Sequence, residues 1–227
     1  ADKIKIIQGD DFPIVTLPNV VDLKIFSPAP PDKALRHQLG IKEDEIILGF
    51  NGELRHKKGL PFLPMALAKV RKVKPAVLLV IGEIRAREQS SIAAFALEDP
   101  ETAARIISTD HIERPEEVAS HLNICDLILQ PSVWDGLPNA LLEAMACQKL
   151  VLASNAGGIP EVINDGDNGI IIPKTQLHRL GDAVLEILEF SDDQKKFIKL
   201  NARRTVEERF TSNKEEQAIK VLMKSLF

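Results

Sequence analysis

Short, almost wholly apolar runs alternate along this chain with stretches that are apolar at every third or fourth position. Runs at 46–50, 77–81, 106–108, 127–130, 150–153 and 169–172 are bounded by Gly, Pro, Asn or charged residues and predict strands. The stretches 60–73, 87–98, 115–122, 138–146 and 159–163 carry helical periodicity. Strand and helix alternating at these lengths predict βαβ units with right-handed crossovers, hence a parallel sheet. Runs such as IILGF and VLLVI are apolar at nearly every position, as strands buried on both faces require. The predicted class is α/β: a Rossmann-like parallel sheet with helices on both faces. Beyond Pro173 the pattern is helical (177–190, 192–208, 214–226), which predicts a helical carboxy-terminal tail. Residues 1–44 are rich in proline (Pro13, Pro18, Pro28, Pro30, Pro31), with a short helix near 33–39. They read as a linker and leading strand, and 45–227 as one domain. No internal repeat or low-complexity tract is read.

In open α/β sheets ligands bind beyond the carboxyl ends of the strands. The loops 51–59, 82–87, 108–115, 131–139 and 154–160 are therefore expected to share one edge. In the first, Gly52 permits close backbone approach, and Arg55, Lys57 and Lys58 place positive charge where a helix begins. Cations there are unfavourable unless an anion offsets them, because the helix dipole is already positive. A phosphate would do so; side chains pointing into solvent are the alternative. In 131–173, Asp135 and Gly136 run into Pro138 and a helix carrying Glu143, and Gly157 and Gly158 are read as opening a second helix. Two such helix N-termini suit a phosphate. The 138–147 helix is apolar enough to be buried all round, with Glu143 on a face of Asn139, Ala140, Ala146 and Cys147. An unpaired carboxylate there would cost several kcal/mol. Ribose hydroxyls could satisfy it, as could a structural backbone or Arg partner. Asp135 cannot be told from an ordinary turn aspartate on local grounds. Asp165-Gly-Asp167, followed by Asn168-Gly169, reads as a tight turn rather than a metal site. The lone Trp134 is read as packing beside the site.

Composition narrows the picture. At 227 residues, 44% hydrophobic and 27% charged, the chain is an ordinary globular protein of one large or two small domains. A net charge of −4 gives no reason to expect a nucleic-acid partner. The basic clusters 55–58 and 71–74 read as solvated faces or local anion sites rather than a membrane patch. Cys125 and Cys147, in apolar surroundings, read as free thiols in a reducing, cytoplasmic compartment. No apolar run approaches the roughly 18 residues of a membrane span, and no signal peptide is visible. The five His residues lack ligand spacing, so no metal is expected. GxSxG, HExxH and P-loop patterns are absent, and no GxGxxG follows a strand. The chain begins at Ala1 and reads as a processed or excised fragment.

PSVWDGLPNALLEAMA followed by GGIPEVI resembles the family 4 (group 1) retaining glycosyltransferases, in the carboxy-terminal, donor-binding half of their GT-B fold. The likeness begins at Pro18-Asn-Val-Val-Asp22, continues through Gly52–Gly59 and 131–173, and ends at 201–210. It implies a hexosyltransferase of carbohydrate biosynthesis that moves a sugar from a UDP- or GDP-type donor with retention and without a bound metal or other cofactor. Asp135 and Glu143 match the family's paired acids, and with Lys58 they form the implied catalytic set. Glu143 would hold ribose hydroxyls and Asp135 hydroxyls of the transferred sugar. Lys58 would neutralise the diphosphate, helped by the backbone of Gly136, Leu137, Pro138 and Asn139. Gly52 and Arg55 would join the binding site, and His111 and Ile112 would border the nucleobase. Three positions depart from the pattern: Asp135 stands where Glu is usual, Val20 where glycine is common, and Glu53 where many members place a phosphate-binding Arg. Arg55 is expected to substitute for that last residue. The resemblance makes 1–44 the lead-in from an amino-terminal domain that binds a carbohydrate or lipid-linked acceptor. The chain by itself would then bind donor and barely turn over. The parent enzyme would be cytoplasmic, with peripheral attachment at the inner face of a membrane open to it. Other readings are a GT-B-like nucleotide-sugar epimerase or isomerase and a non-catalytic nucleotide-binding module. A Rossmann dehydrogenase is disfavoured, because the first strand-to-helix loop lacks its glycine fingerprint.

Overall fold

A computed structural model describes residues 17 and 19–226; Pro13 and Pro18 lie outside them. Six strands, β1 (Ile46–Asn51), β2 (Ala76–Ile81), β3 (Ile106–Ser108), β4 (Leu127–Gln130), β5 (Leu150–Ser154) and β6 (Ile170–Ile172), form one sheet. Every pairing is parallel, in the order β3-β2-β1-β4-β5-β6. The apolar runs are explained by burial on both faces, and the period of two within them decides which face each residue serves. Val77, Leu79 and Ile81 of β2 enter one core, whereas Leu78 and Val80 enter the other.

Helices cover both faces. On the first lie α5 (Pro115–Ile124), α6 (Asn139–Ala146) and α8 (Asp192–Arg209), contributing Leu122, Leu142, Met145, Ala202 and Val206. On the second lie α2 (Phe62–Arg71) and α7 (Leu180–Leu188), contributing Leu63, Leu67, Val70, Val184 and Ile187. The remaining helices are α1 (Lys33–Gln38), α3 (Gln89–Glu98), α4 (Pro100–Ala103) and α9 (Ser212–Leu226). Caps set several boundaries. Asp32 accepts from the amides of Ala34 and Leu35, Asp99 from Thr102, and Ser191 from Gln194. No helix among the described residues is long and apolar enough to cross a membrane.

One expectation changes. Residues 159–163 form a single 3-10 turn, Ile159–Glu161, in place of a helix. Their apolar spacing is genuine, since Ile159, Val162 and Ile163 are buried. The turn cannot propagate because the Asn168 side chain takes the Val162 carbonyl (2.9 Å) and the Asn164 amide (2.7 Å). Before β1 the described residues pack as irregular chain around α1, and the remainder of the expected linker and leading strand lies outside them. Val21, Phe26 and Ile41 are buried in the first core. The Val21 amide donates to Phe210 O (3.0 Å), and Arg203 Nη1 joins Phe26 O (2.6 Å) to Ala146 O (2.7 Å).

Candidate donor site at the switch point

From β1 the chain winds outward through β2 and β3, then returns to β4 and winds the other way through β5 and β6. The loops after β1 and β4 therefore diverge and leave a crevice, the place where such sheets bind ligands. Both loops are fixed against each other. The Val133 amide donates to Lys57 O (2.8 Å), and Gln130 Nε2 to Asn51 O (3.4 Å). Gly59, at φ +95°, lies so close that an added Cβ would sit 2.3 Å from Pro131 O.

Two side-chain pairs span the crevice. Asn51, ending β1, donates from Nδ2 to Glu143 Oε2 on α6 (2.7 Å). Lys58 Nζ pairs with Asp135 Oδ2, both side chains being less than one-fifth exposed. Asp135 is held further by Ser132 Oγ (3.2 Å) and by the Gly136 amide on Oδ1 (3.0 Å). Burial raises the Glu143 carboxyl above the ordinary carboxylate range, and the Asn51 bond offsets part of that rise. Glu143 Oε1 takes no hydrogen bond among the described residues and keeps contact with solvent. The expectation that α6 is buried all round is corrected: Asn139, Ala140 and Glu143 emerge as one partly exposed stripe. The structure supplies Glu143 with a side-chain partner and leaves it an oxygen to spare.

The loop 136–139 follows. No atom lies within 4 Å of a would-be Cβ at Gly136 or at Gly52, so the backbone borders open space at both. The Gly136 amide is spent on Asp135, and Pro138 has no N–H, which leaves the amides of Leu137 and Asn139 without acceptors among the described residues. Asn19 braces this loop through Leu137 O (3.0 Å) and Asn139 Oδ1 (2.8 Å). The loop after β5 presses on it from behind, with Gly157 at φ +56° against the Asp135 carbonyl and Gly158 N on Gly136 O (3.0 Å). Gly157-Gly158 thus opens a single 3-10 turn, so of the two helix N-termini expected in 131–173 that of α6 alone forms.

Other expected residues lie differently. Arg55 reaches Glu53, Nη1 to Oε2 at 3.3 Å, and Glu53 Oε1 also receives Arg85 Nε at 2.9 Å. His111, exposed, and Ile112 line a cleft of about 520 Å³ with Leu39, Thr109, Arg114 and His121, beside β3 and so two strands from β1. Trp134 is 69% exposed, with Lys57 Nζ 4.7 Å from its ring centroid, and does not pack down. Asp165–Gly169 makes the expected turn, Gly166 N donating to Gly169 O (2.9 Å). The 71–74 cluster is tied down locally: Arg71 bonds Ala76 O (2.9 Å) and Lys74 bonds Glu189 (2.6 Å). Cys125 and Cys147 are free and buried, their thiols pushed up to about 12 by burial. Among the described residues no three His, Cys, Asp or Glu side chains cluster as a metal site would require.

Sequence reasoning missed Asn51 as the partner of Glu143, and Asn19 and Arg85 altogether. For Arg85 a signal existed. Gly52-Glu-Leu-Arg55 is echoed by Gly82-Glu-Ile-Arg85, each at the end of a buried strand.

A doubly wound α/β domain with carboxylates and cations facing each other across its switch point is a nucleotide-binding class of architecture. The chain belongs to the glycosyl transferases group 1 family, whose family model matches residues 31–204. It is similar to the D-inositol 3-phosphate glycosyltransferase of Segniliparus rotundus, 32% identical over 171 residues, 72% of this chain and 36% of that one. The chain spans about half the length, or less, of the curated relatives it matches. The C-terminal domain of a glycosyl transferase group 1 family protein (LpcC) from Francisella tularensis superposes with TM-score 0.70 and 23% identity. The match covers 85% of this chain and 99% of that one. Anabaena Alr3699/HepE, solved in complex with UDP and glucose, gives TM-score 0.78 and 24% identity over 92% of this chain and 56% of its own. The fold is the carboxy-terminal half of a GT-B glycosyltransferase.

Proposed function

We propose that this chain is the donor-binding half of a retaining glycosyltransferase and takes a nucleoside-diphosphate sugar, of UDP or GDP type, at the switch point. The observation that carries the reading is the double pairing across the β1 and β4 loops, Asn51 with Glu143 and Lys58 with Asp135. A neighbour of the same fold was solved with UDP, which supports a nucleotide at this edge. The free Oε1 of Glu143 accepts ribose hydroxyls, and Asp135 accepts hydroxyls of the transferred sugar. Lys58 and the amides of Leu137 and Asn139 meet the diphosphate, with Gly52 and Gly136 letting it approach the backbone. As the glycosidic bond breaks, negative charge grows on the leaving diphosphate. Cations and amides already aimed there stabilise it without reorganising. His111 and Ile112 border the base. No resident metal or other cofactor is invoked.

The acceptor, a carbohydrate or a lipid-linked sugar, is held by an amino-terminal domain of the parent enzyme, to which residues 1–44 lead. The parent works in the cytoplasm, peripherally at the inner face of a membrane where its acceptor is lipid-linked. This chain alone binds donor and turns over little. Calorimetric titration with UDP, GDP and ADP, with and without magnesium, tests the reading. Saturable binding of one nucleotide, unchanged by magnesium, is expected. Binding of none, or binding only with the metal, would overturn it.

A further inference from the structure

Glu53 is an acid in a loop otherwise built of cations, and the structure grips it from two sides. Arg55 approaches from within the loop after β1, and Arg85 from the loop after β2. The two loops are matched in conformation as well as sequence. Gly52 and Gly82 both take positive φ, +118° and +132°. Each loop then runs through the isolated bridge between Leu54 and Ile84 into a 3-10 turn. Leu54 N donates to Glu83 O (2.8 Å) and Arg85 N to Leu54 O (3.1 Å), so the β1–β2 pairing resumes beyond the sheet. The bridge lies three residues past the last ladder pair, Asn51 with Ile81, and it brings Arg85 to Glu53.

Surface ion pairs contribute little by themselves, but three features set this one apart. Glu53 follows Gly52, whose backbone borders open space, and Asn51, which touches Glu143. Arg55 is incompletely bonded among the described residues: it reaches Glu53 through Nη1 alone, while its Nε is enclosed with no partner. A guanidinium normally engages a carboxylate or phosphate through two parallel N–H groups. The charges of the trio also sum to +1, so displacing Glu53 would free two guanidinium groups beside the crevice.

We propose that Arg55 and Arg85 form an anion-binding pair for the donor's diphosphate, and that Glu53 is an internal counter-anion competing for both. Arg85 becomes a donor ligand contributed by the second loop, and Glu53 a residue that lowers donor affinity and so favours release of the nucleoside diphosphate. The inference rests on the donor reading above.

The test titrates the 227-residue chain and its Glu53→Gln, Arg85→Ala and Arg85→Lys variants with UDP, GDP and ADP. The nucleoside of whichever nucleotide binds is then titrated as well. Glu53→Gln should tighten the nucleoside diphosphate by roughly three- to tenfold and leave the nucleoside within about twofold. Arg85→Ala should weaken the diphosphate about tenfold with the same indifference to the nucleoside, and Arg85→Lys should fall between. Arg85→Lys keeps the charge and carries the test if Arg85→Ala unfolds. Unchanged or weaker diphosphate binding in Glu53→Gln would overturn the competition, since a carboxylate that only positions the arginines would be missed. Indifference to both Arg85 variants would remove Arg85 from the site. If the unaltered chain binds none of the three nucleotides, the donor reading fails and this inference with it. If it binds and the variants match it, this inference alone fails.

Discussion

Glu143 carries opposing demands in one side chain. Burial disfavours its ionised form, yet the ionised form is the stronger acceptor for ribose hydroxyls, and Asn51 meets only part of the conflict. A carboxyl whose folded-state value is raised contributes stability that is full below the unfolded value and is lost as pH rises through the folded one. At neutral pH the ionised group is therefore a standing penalty. Glu143→Gln should raise the thermal midpoint by on the order of 1–3 °C at pH 7 and give no gain near pH 4, read by circular dichroism. The same variant should bind the nucleoside of the donor about tenfold more weakly, because a charge-assisted acceptor is gone. A midpoint that falls at pH 7 would mean that the carboxylate is needed to hold Asn51 and the β1 end. Lys58 supports a complementary expectation. Lys58→Ala should weaken the nucleoside diphosphate by roughly ten- to a hundredfold and the bare nucleoside within about twofold. Equal losses for both ligands would reduce Lys58 to a support for Asp135.

At the scale of elements, the strands were legible because burial on both faces leaves no polar residue inside them, and the helices packed on the sheet because each buries one stripe. The crevice was legible too, since Gly136, Pro138 and the glycines at 157 and 158 punctuate strand ends. What could not be read was decided by contacts distant in sequence. Asn168 ends the turn at 159–161, and Asn19 reaches loop 136–139 from about 120 residues away. Glu53 gained its meaning only when the β1–β2 pairing ran past the sheet edge to Arg85. The Asp135–Lys58 pair likewise needs the β1–β4 neighbourhood, which strand order alone supplies. The glycine at 157 fixes the acidic loop in the same indirect way. A methyl group there would meet the Asp135 carbonyl at 2.0 Å in a backbone conformation that L residues avoid. Gly157→Ala should cost about 1–3 kcal/mol in urea unfolding, by strain and displacement of the loop. It should also weaken donor binding, although residue 157 is assigned no contact with the donor. Full stability with unaltered binding would show that the β5 loop moves aside freely and does not set the position of Asp135.

For the whole molecule, the physical domain is wider than the stretch that carries the family match. That stretch runs from 31 to 204. Val21 and Phe26 lie before it and Val206 and Phe210 after it, yet all are buried in the core beneath α6 and α8. The two flanks hold each other through Val21 N on Phe210 O, and Arg203, inside the match, reaches back to Phe26 O. Asn123, 5% exposed, fastens the same lead-in segment to α5 through Ser27 O (3.0 Å) and the Ala29 amide (3.1 Å). Burying a Val or Phe side chain contributes roughly 1.5–3 kcal/mol, so removing four of them is comparable to the whole stability of a domain, about 5–15 kcal/mol. By contrast, α9 is exposed along most of its length, with Ile219, Val221 and Met223 in solvent. A chain trimmed to 1–211 should therefore unfold in urea close to the midpoint of the full 227 residues. A chain trimmed to 31–204 should be largely unfolded or insoluble at 25 °C. If the shorter piece instead unfolds at the same midpoint, the lead-in segment is a passive linker and the first core is complete without it. If loss of α9 alone lowers the midpoint sharply, that helix is packed more firmly on α8 than its exposure implies.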